Sequence, residues 1–147
     1  MAIYGQPDAL YEVFMPIMFA ETIRKGPHGG GFKLHVTVAT DHADPLARAI
    51  LPLLRDTHHK VVLPGDYYGR LNNGNERGKF ITIYAGPAAP SQQVVNVIDP
   101  VLLQLRAQGI LPGPVPTTRQ SNHREDEIRI GQSGMIRTYW ADDYRTT

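Results

Sequence analysis

The sequence predicts an α+β fold: a single domain with a mixed or antiparallel sheet and about three packed helices. Three observations lead there. Apolar periodicities alternate along the chain as helix, strand, helix, strand, strand, helix, then a last pair of strands. No internal repeat or linker divides the 147 residues, a length that suits one core. The 14 glycines and 12 prolines are separated by apolar runs, so they read as shaped loops rather than disorder. The domain spans 1–147: an N-terminal helix and loop over 1–30, a core over 31–140 and a tail over 141–147.

Residues 8–24 carry Leu10, Phe14, Ile17 and Met18 at helical spacing behind a capping Asp8, with Pro16 as a kink. A glycine-rich turn over 25–31 leads into GFKLHVTV, residues 31–38. This strand puts Phe32, Leu34, Val36 and Val38 on one face and Lys33, His35 and Thr37 on the other. Asp44 and Pro45 read as N-cap and first helical residue. Leu46, Ile50, Leu53 and Leu54 then form a stripe to about residue 57, with Pro52 as an unexplained defect. Residues 59–63 form a short strand, 64–78 a polar loop and 79–84 (KFITIY) a second clear strand. After a loop and cap over 87–93, Val94, Ile98, Val101, Leu102 and Leu105 keep helical spacing. Asp99-Pro100 reads as a restart of that helix and Gly109 as its end. A proline-rich passage over 111–126 precedes strands at 127–130 and 135–140 and a frayed tail.

A formal net charge of +1 offers no global field for nucleic acid or an anionic membrane, so any anion site is local. The absence of cysteine removes thiolate catalysis, thiolate metal sites and disulfides. No apolar run reaches the length of a membrane span. The expectation is a cytoplasmic chain without nucleic-acid or membrane partners.

The residues bear on four chemistries. The six histidines show no metal-ligand spacing, so no metal or other cofactor is expected. His35-Val36-Thr37 matches the H-x-T element of two-histidine phosphoesterases, but no second such element occurs. Gly29-Gly30-Gly31 precedes a strand rather than a helix, so it is not a phosphate loop. The fourth is a cationic phosphate site. Lys33 and His35 share a face, Lys60 begins another strand, and Arg70 and Arg77 sit in the loop before Lys79 and Tyr84. Arg129 and Arg137 lie on the last strand pair. If the strands pair, several of these cations converge, and arginine offers a planar fork for phosphate oxygens. Taken singly, Lys60 and Lys79 read as solvated lysines, Tyr84 as core, and the arginines as ion-pair partners of Glu125, Asp126 and Glu127.

The series F-K-L-H-V-T-V, H-K-V-V and G-K-F-I-T-I-Y resembles the phosphothreonine lyases of type III-secreted effectors. It is closer still to the lyase domains of class III and IV lanthipeptide synthetases and to stand-alone lyase-like proteins of class V lanthipeptide and thioamitide pathways. The resemblance covers roughly residues 31–140. It implies metal-independent β-elimination of phosphate from phosphothreonine or phosphoserine in a peptide, leaving dehydrobutyrine or dehydroalanine. It further implies Lys60 as base, His35 as imidazolium acid, Lys33 as charge stabiliser and Tyr84 beside the base. Arg77 or Arg70, with Arg129 or Arg137, would hold the phosphate. The implied partners are a phosphorylated precursor peptide and a separate kinase, since no nucleotide motif is present. The C-terminal R-I-G-Q-S-G-M-I-R-T-Y-W departs from the effectors' pattern, which favours a peptide-modifying enzyme over a host-kinase inactivator. The alternatives are a non-catalytic peptide- or partner-binding module of the same fold and, behind it, the phosphoesterase.

Overall fold

Strand β1 (Gly31–Val36) is the central strand of the sheet. The computed structural model describes residues 29–62, 65–74, 77–116 and 127–144. The predicted helix at 8–24 lies outside them, as do 117–126 and the last three residues. The other strands are β2 (His59–Val61), β3 (Ile81–Gly86), β4 (Ile128–Ile130) and β5 (Ile136–Ala141). Their order is β2-β3-β1-β5-β4 and every neighbouring pair is antiparallel, which resolves the choice between a mixed and an antiparallel sheet. Two α-helices are described, α1 (Ala43–Ile50) and α2 (Ala88–Ala107).

Alternation in β1 does what its sequence requires. Leu34 and Val36 turn to one face with their cross-strand neighbours Ile81, Ile83 and Ile136, all fully buried. The helices supply the other half of that core. In α1, Ala43, Leu46, Ala47 and Ile50 recur at the spacing of one helical face; in α2, Val95, Ile98, Leu102 and Leu105 do the same. Burying each Leu or Ile contributes roughly 1.5–3 kcal/mol of transfer free energy, which makes this the face that holds the fold together.

Several expectations change. The stripe after Asp44 is not one helix to residue 57: α1 ends at Ile50 and tightens into a 3-10 turn, Leu51–Leu54. Pro52 stands at the start of that turn, where its missing N–H breaks no helical bond, while Leu51 and Leu54 stay buried. Asp44 and Pro45 lie inside the first turn of α1 rather than at its cap, because a 3-10 turn, Thr40–His42, precedes it. The polar loop after β2 contains a 3-10 segment, Gly65–Asn72, pinned by buried Leu71, whose carbonyl accepts from the Gly78 N–H at 2.9 Å.

Helix α2 begins at Ala88, ahead of Val94, because Pro90 falls in the first turn, where a helix needs no N–H. Asp99-Pro100 does not restart it. The buried Asp99 carboxylate accepts instead from the Gln132 and Ser133 N–H groups, at 2.6 and 3.1 Å, and so ties α2 to the β4–β5 turn. Gly109 ends α2 as expected, at φ +97°. Its N–H bonds to the Arg106 carbonyl and the Ile110 N–H to the Leu105 carbonyl, the pair of bonds that closes a Schellman motif.

The tail is not frayed as far as Tyr144. The Tyr144 hydroxyl donates to the Phe32 carbonyl at 2.9 Å and accepts from the Gly86 N–H at 2.8 Å. The β1–β3 register slips between Phe32 and Lys33, so this hydroxyl satisfies backbone groups where the ladder is irregular. Among the described residues no helix is long and apolar enough to cross a membrane.

Candidate functional site

Residues directly opposite on neighbouring strands point to the same face. Lys60 is opposite Thr82, Thr82 opposite His35, His35 opposite Arg137, and Arg137 opposite Arg129. Each of the five strands therefore gives one side chain to a single row: Lys60, Thr82, His35, Arg137, Arg129. The next row along holds Tyr84, Lys33 and Tyr139. This is the face opposite Leu34 and Val36. With strands about 4.8 Å apart, the Lys60 and His35 backbones stand roughly 10 Å from each other, with Thr82 between them.

The face is polar and yet largely buried. Lys33 is 4 % exposed, His35 2 % and Lys79 6 %. Lys79, expected to be solvated, is close enough to His35 to act on its charge. The Lys33 ammonium lies 5.5 Å from the Tyr84 ring centre and 5.9 Å from that of Tyr139, a cation held between two π-faces. Tyr84 in turn packs against the rings of Tyr144 and His58. A cavity of about 420 Å³ opens between α2 and the segment before β2, with His58, Tyr84, Val94 and Val97 in its wall; no residue of the row lines it.

Glu127, expected to pair with an arginine, pairs with His35. Glu127 Oε1 lies 2.8 Å from His35 Nδ1, and the carboxylate side chain is fully buried. Among the described residues its buried Oε2 has no hydrogen-bond partner. Burial pushes the His35 pKa below histidine's ordinary 6.5; the hydrogen bond and charge of Glu127 oppose that shift, while Lys79 and Lys33 reinforce it. Burial thus disfavours the imidazolium that the resemblance implies, and Glu127 favours it. Desolvation is the cause, and a strand pattern does not reveal it. A neutral ring that donates Nδ1–H to the carboxylate leaves Nε2 as an acceptor.

The arginines divide. Arg137 stands beside His35 in the row, half-buried, and its Nε has no hydrogen-bond partner among the described residues. Arg129 is exposed. Its guanidinium and that of Arg106 both close on Gly134, at 3.4 and 3.2 Å from where a Cβ on that glycine would sit. Neither Arg129 nor Arg137 has a carboxylate partner among the described residues, although like charges directly opposed on a sheet repel. Arg77 lies off the sheet, its Nε donating to the Val115 carbonyl at 3.1 Å, and Arg70 is exposed in the 3-10 segment. The structure brings neither into the row.

The adjacent His58 and His59 diverge as expected: His58 meets Tyr84, while His59 is buried with Nδ1 2.6 Å from the Thr57 carbonyl. Among the described residues no second histidine stands in the row of His35, the position a two-histidine phosphoesterase would need. Sequence reasoning missed Thr82, Tyr139 and Glu127. Period-two alternation from Tyr84 and Arg137 reaches the first two. Nothing in the sequence ties Glu127 to a histidine 92 residues away. No protein-family profile and no curated protein matches the chain.

Proposed function

We propose that the protein is a metal-independent lyase that eliminates phosphate from phosphothreonine or phosphoserine in a peptide, giving dehydrobutyrine or dehydroalanine. The observation that carries this reading is the row Lys60–Thr82–His35–Arg137 with Lys33 alongside. It sets a candidate base and a candidate acid on either side of a small residue, with cations next to the acid.

Elimination needs this division of labour. Lys60, as the free amine, takes the Cα proton; the C–H electron pair becomes the Cα=Cβ bond and the Cβ–O bond breaks towards phosphate. The bridging oxygen receives a proton from His35 Nε2, so His35 must be protonated in the substrate complex. Lys33 and Arg137 offset the charge of the phosphate and of the enolate that forms at the neighbouring carbonyl. Arg129 lies one strand further out, on the side where the phosphate would leave. Tyr84 packs beside Lys33. A separate kinase would supply the phosphopeptide in the cytoplasm, in the biosynthesis of a modified peptide.

Incubation with a phosphothreonine peptide tests this. A product lacking both phosphate and the side-chain oxygen supports elimination; a product with the hydroxyl restored is that of a phosphatase and overturns the reading. A binding module of the same fold would hold the peptide unchanged and be indifferent to Lys60→Ala.

A further inference from the structure

We infer that His42 is a pH-sensitive latch on the passage that follows α2. Its neutral ring holds residues 110–116 against the end of β1, and a ring protonated on both nitrogens releases them at Leu111. The inference does not depend on the lyase reading.

The direction of one hydrogen bond carries it. The Leu111 N–H donates to His42 Nδ1 at 3.0 Å. A backbone N–H can only donate, so Nδ1 presents its lone pair and the ring proton sits on Nε2. This bond and a proton on Nδ1 exclude each other. His35 and His59 differ. Their Nδ1 atoms face the Glu127 carboxylate and the Thr57 carbonyl, acceptors that a protonated nitrogen satisfies. Of these three bonds, protonation breaks that of His42 alone.

The bond lies where the passage is strapped down. Residues 110–116 belong to no helix or strand, and other segments hold them by side chain and backbone. The 3-10 turn Thr40–His42 grips Leu111 from both sides: the Ala39 N–H, at the head of the turn, donates to the Leu111 carbonyl at 2.9 Å, and His42 takes the Leu111 N–H. The Thr37 hydroxyl donates to the Pro114 carbonyl at 2.7 Å and Arg77 Nε to the Val115 carbonyl at 3.1 Å. Gly113 is packed so closely on Val38 that a Cβ would collide with its carbonyl. In each of the other bonds the passage offers a carbonyl to a donor that keeps its proton near neutrality; histidine is the partner that changes charge there. Among the described side chains, the charged groups on the elements packed against His42 are Asp41 beside it, Asp44 and Arg48 on α1, and Arg70 on the 3-10 segment. That segment meets the turn where the Asn72 amide donates to the Thr40 hydroxyl at 3.1 Å. The passage itself, ILPGPVP, brings no titratable side chain. Whatever the sum of these charges, a proton on Nδ1 has to displace the Leu111 N–H.

Two-dimensional ¹⁵N–¹H spectra of the histidine rings and the backbone amides of the full chain, recorded from about pH 8 down to about pH 5, test this. At the alkaline end His42 should be the Nε2–H tautomer. As the ring gains its second proton, the Leu111 amide resonance should move along the same titration curve. The hydrogen-exchange protection of Leu111, corrected for the intrinsic pH dependence of exchange, should fall by about three- to tenfold, the worth of one hydrogen bond. The Thr37 amide, bonded to the Met135 carbonyl at 2.9 Å, should show no such step. His42→Asn puts an amide oxygen, an acceptor that does not titrate, where Nδ1 stands; it should keep the protection of Leu111 and remove its pH step. His42→Ala should show low protection at every pH. A His42 ring carrying its proton on Nδ1 at the alkaline end, a Leu111 amide that does not follow the ring, or an undiminished step in His42→Asn overturns the inference. The wild-type spectra decide it even if neither variant folds.

Discussion

The two faces of this sheet bury side chains for opposite reasons. On one, Leu34, Val36, Ile81, Ile83 and Ile136 lose their contact with water against α1 and α2 and stabilise the fold. On and around the other, Lys33 and His35, with nearby Lys79 and Glu127, are nearly as buried, although burial penalises every charge among them. Arg129 is directly opposed to Arg137, an arrangement that costs stability unless an anion relieves it. A protein selected for stability alone would not be expected to hold two lysines and a His–Glu pair at 2–6 % exposure so close together. On the proposed reading stability and function are divided between faces, so single substitutions should separate them.

The largest separation is expected at Lys60 and Leu34. Lys60→Ala should lower the rate of elimination by about 10²–10⁴-fold, the usual worth of a positioned acid or base, with the thermal midpoint nearly unchanged. Leu34→Ala, next to His35 but on the other face, should destabilise by about 2–5 kcal/mol, readable in urea unfolding. If Lys60→Ala unfolds the protein or leaves turnover intact, the division fails.

Tyr144→Phe should come next. It strands the Gly86 N–H and the Phe32 carbonyl at the irregular end of the β1–β3 ladder, at a cost of about 1–3 kcal/mol. Hydrogen exchange at Gly86 should quicken more than exchange in β5. Gly31 has the same sensitivity, since a Cβ there would sit 2.5 Å from the Tyr144 hydroxyl oxygen.

Acid should act on the polar face. The folded His35 pKa lies below the unfolded value of 6.5, so the unfolded chain binds the extra proton first. The stability this neutral ring contributes is fully present above pH 6.5 and is lost as pH falls from there towards the folded pKa. His58 and His59, also shifted down by burial, act in the same direction. His35→Gln should therefore reduce, without abolishing, the loss of stability on acidification, as read from unfolding midpoints across pH.

The smallest effect has the opposite sign from the others. Arg129→Ala should leave the free protein as stable or more stable by at most about 1 kcal/mol, while weakening sulfate binding. A destabilised variant with unchanged sulfate affinity would place Arg129 among the structural residues.

Much of the fold was legible because strands obey a period of two. Lys33 and His35 opposite Leu34 and Val36, and the positions of Lys60, Tyr84 and Arg137, follow from alternation once the strands pair. Prolines misled where their position within a helix mattered: Pro52 starts a 3-10 turn and Pro90 falls in the first turn of α2, where no helical N–H is needed, whereas α2 runs on through Pro100 in its interior. Asp99 and Tyr144 were misread because their partners are backbone groups of distant segments. The row was foreshadowed by local motifs, but the protonation state of His35 was not. It depends on burial and on Glu127, two consequences of tertiary packing that no short pattern encodes.

The most direct test of the account is elimination from a phosphothreonine peptide deuterated at Cα. The account predicts a slowed reaction and a dehydrobutyrine product from which the deuterium is gone, with both lost in Lys60→Ala. Release of phosphate at an unchanged rate, with deuterium and hydroxyl retained in the peptide, would contradict it.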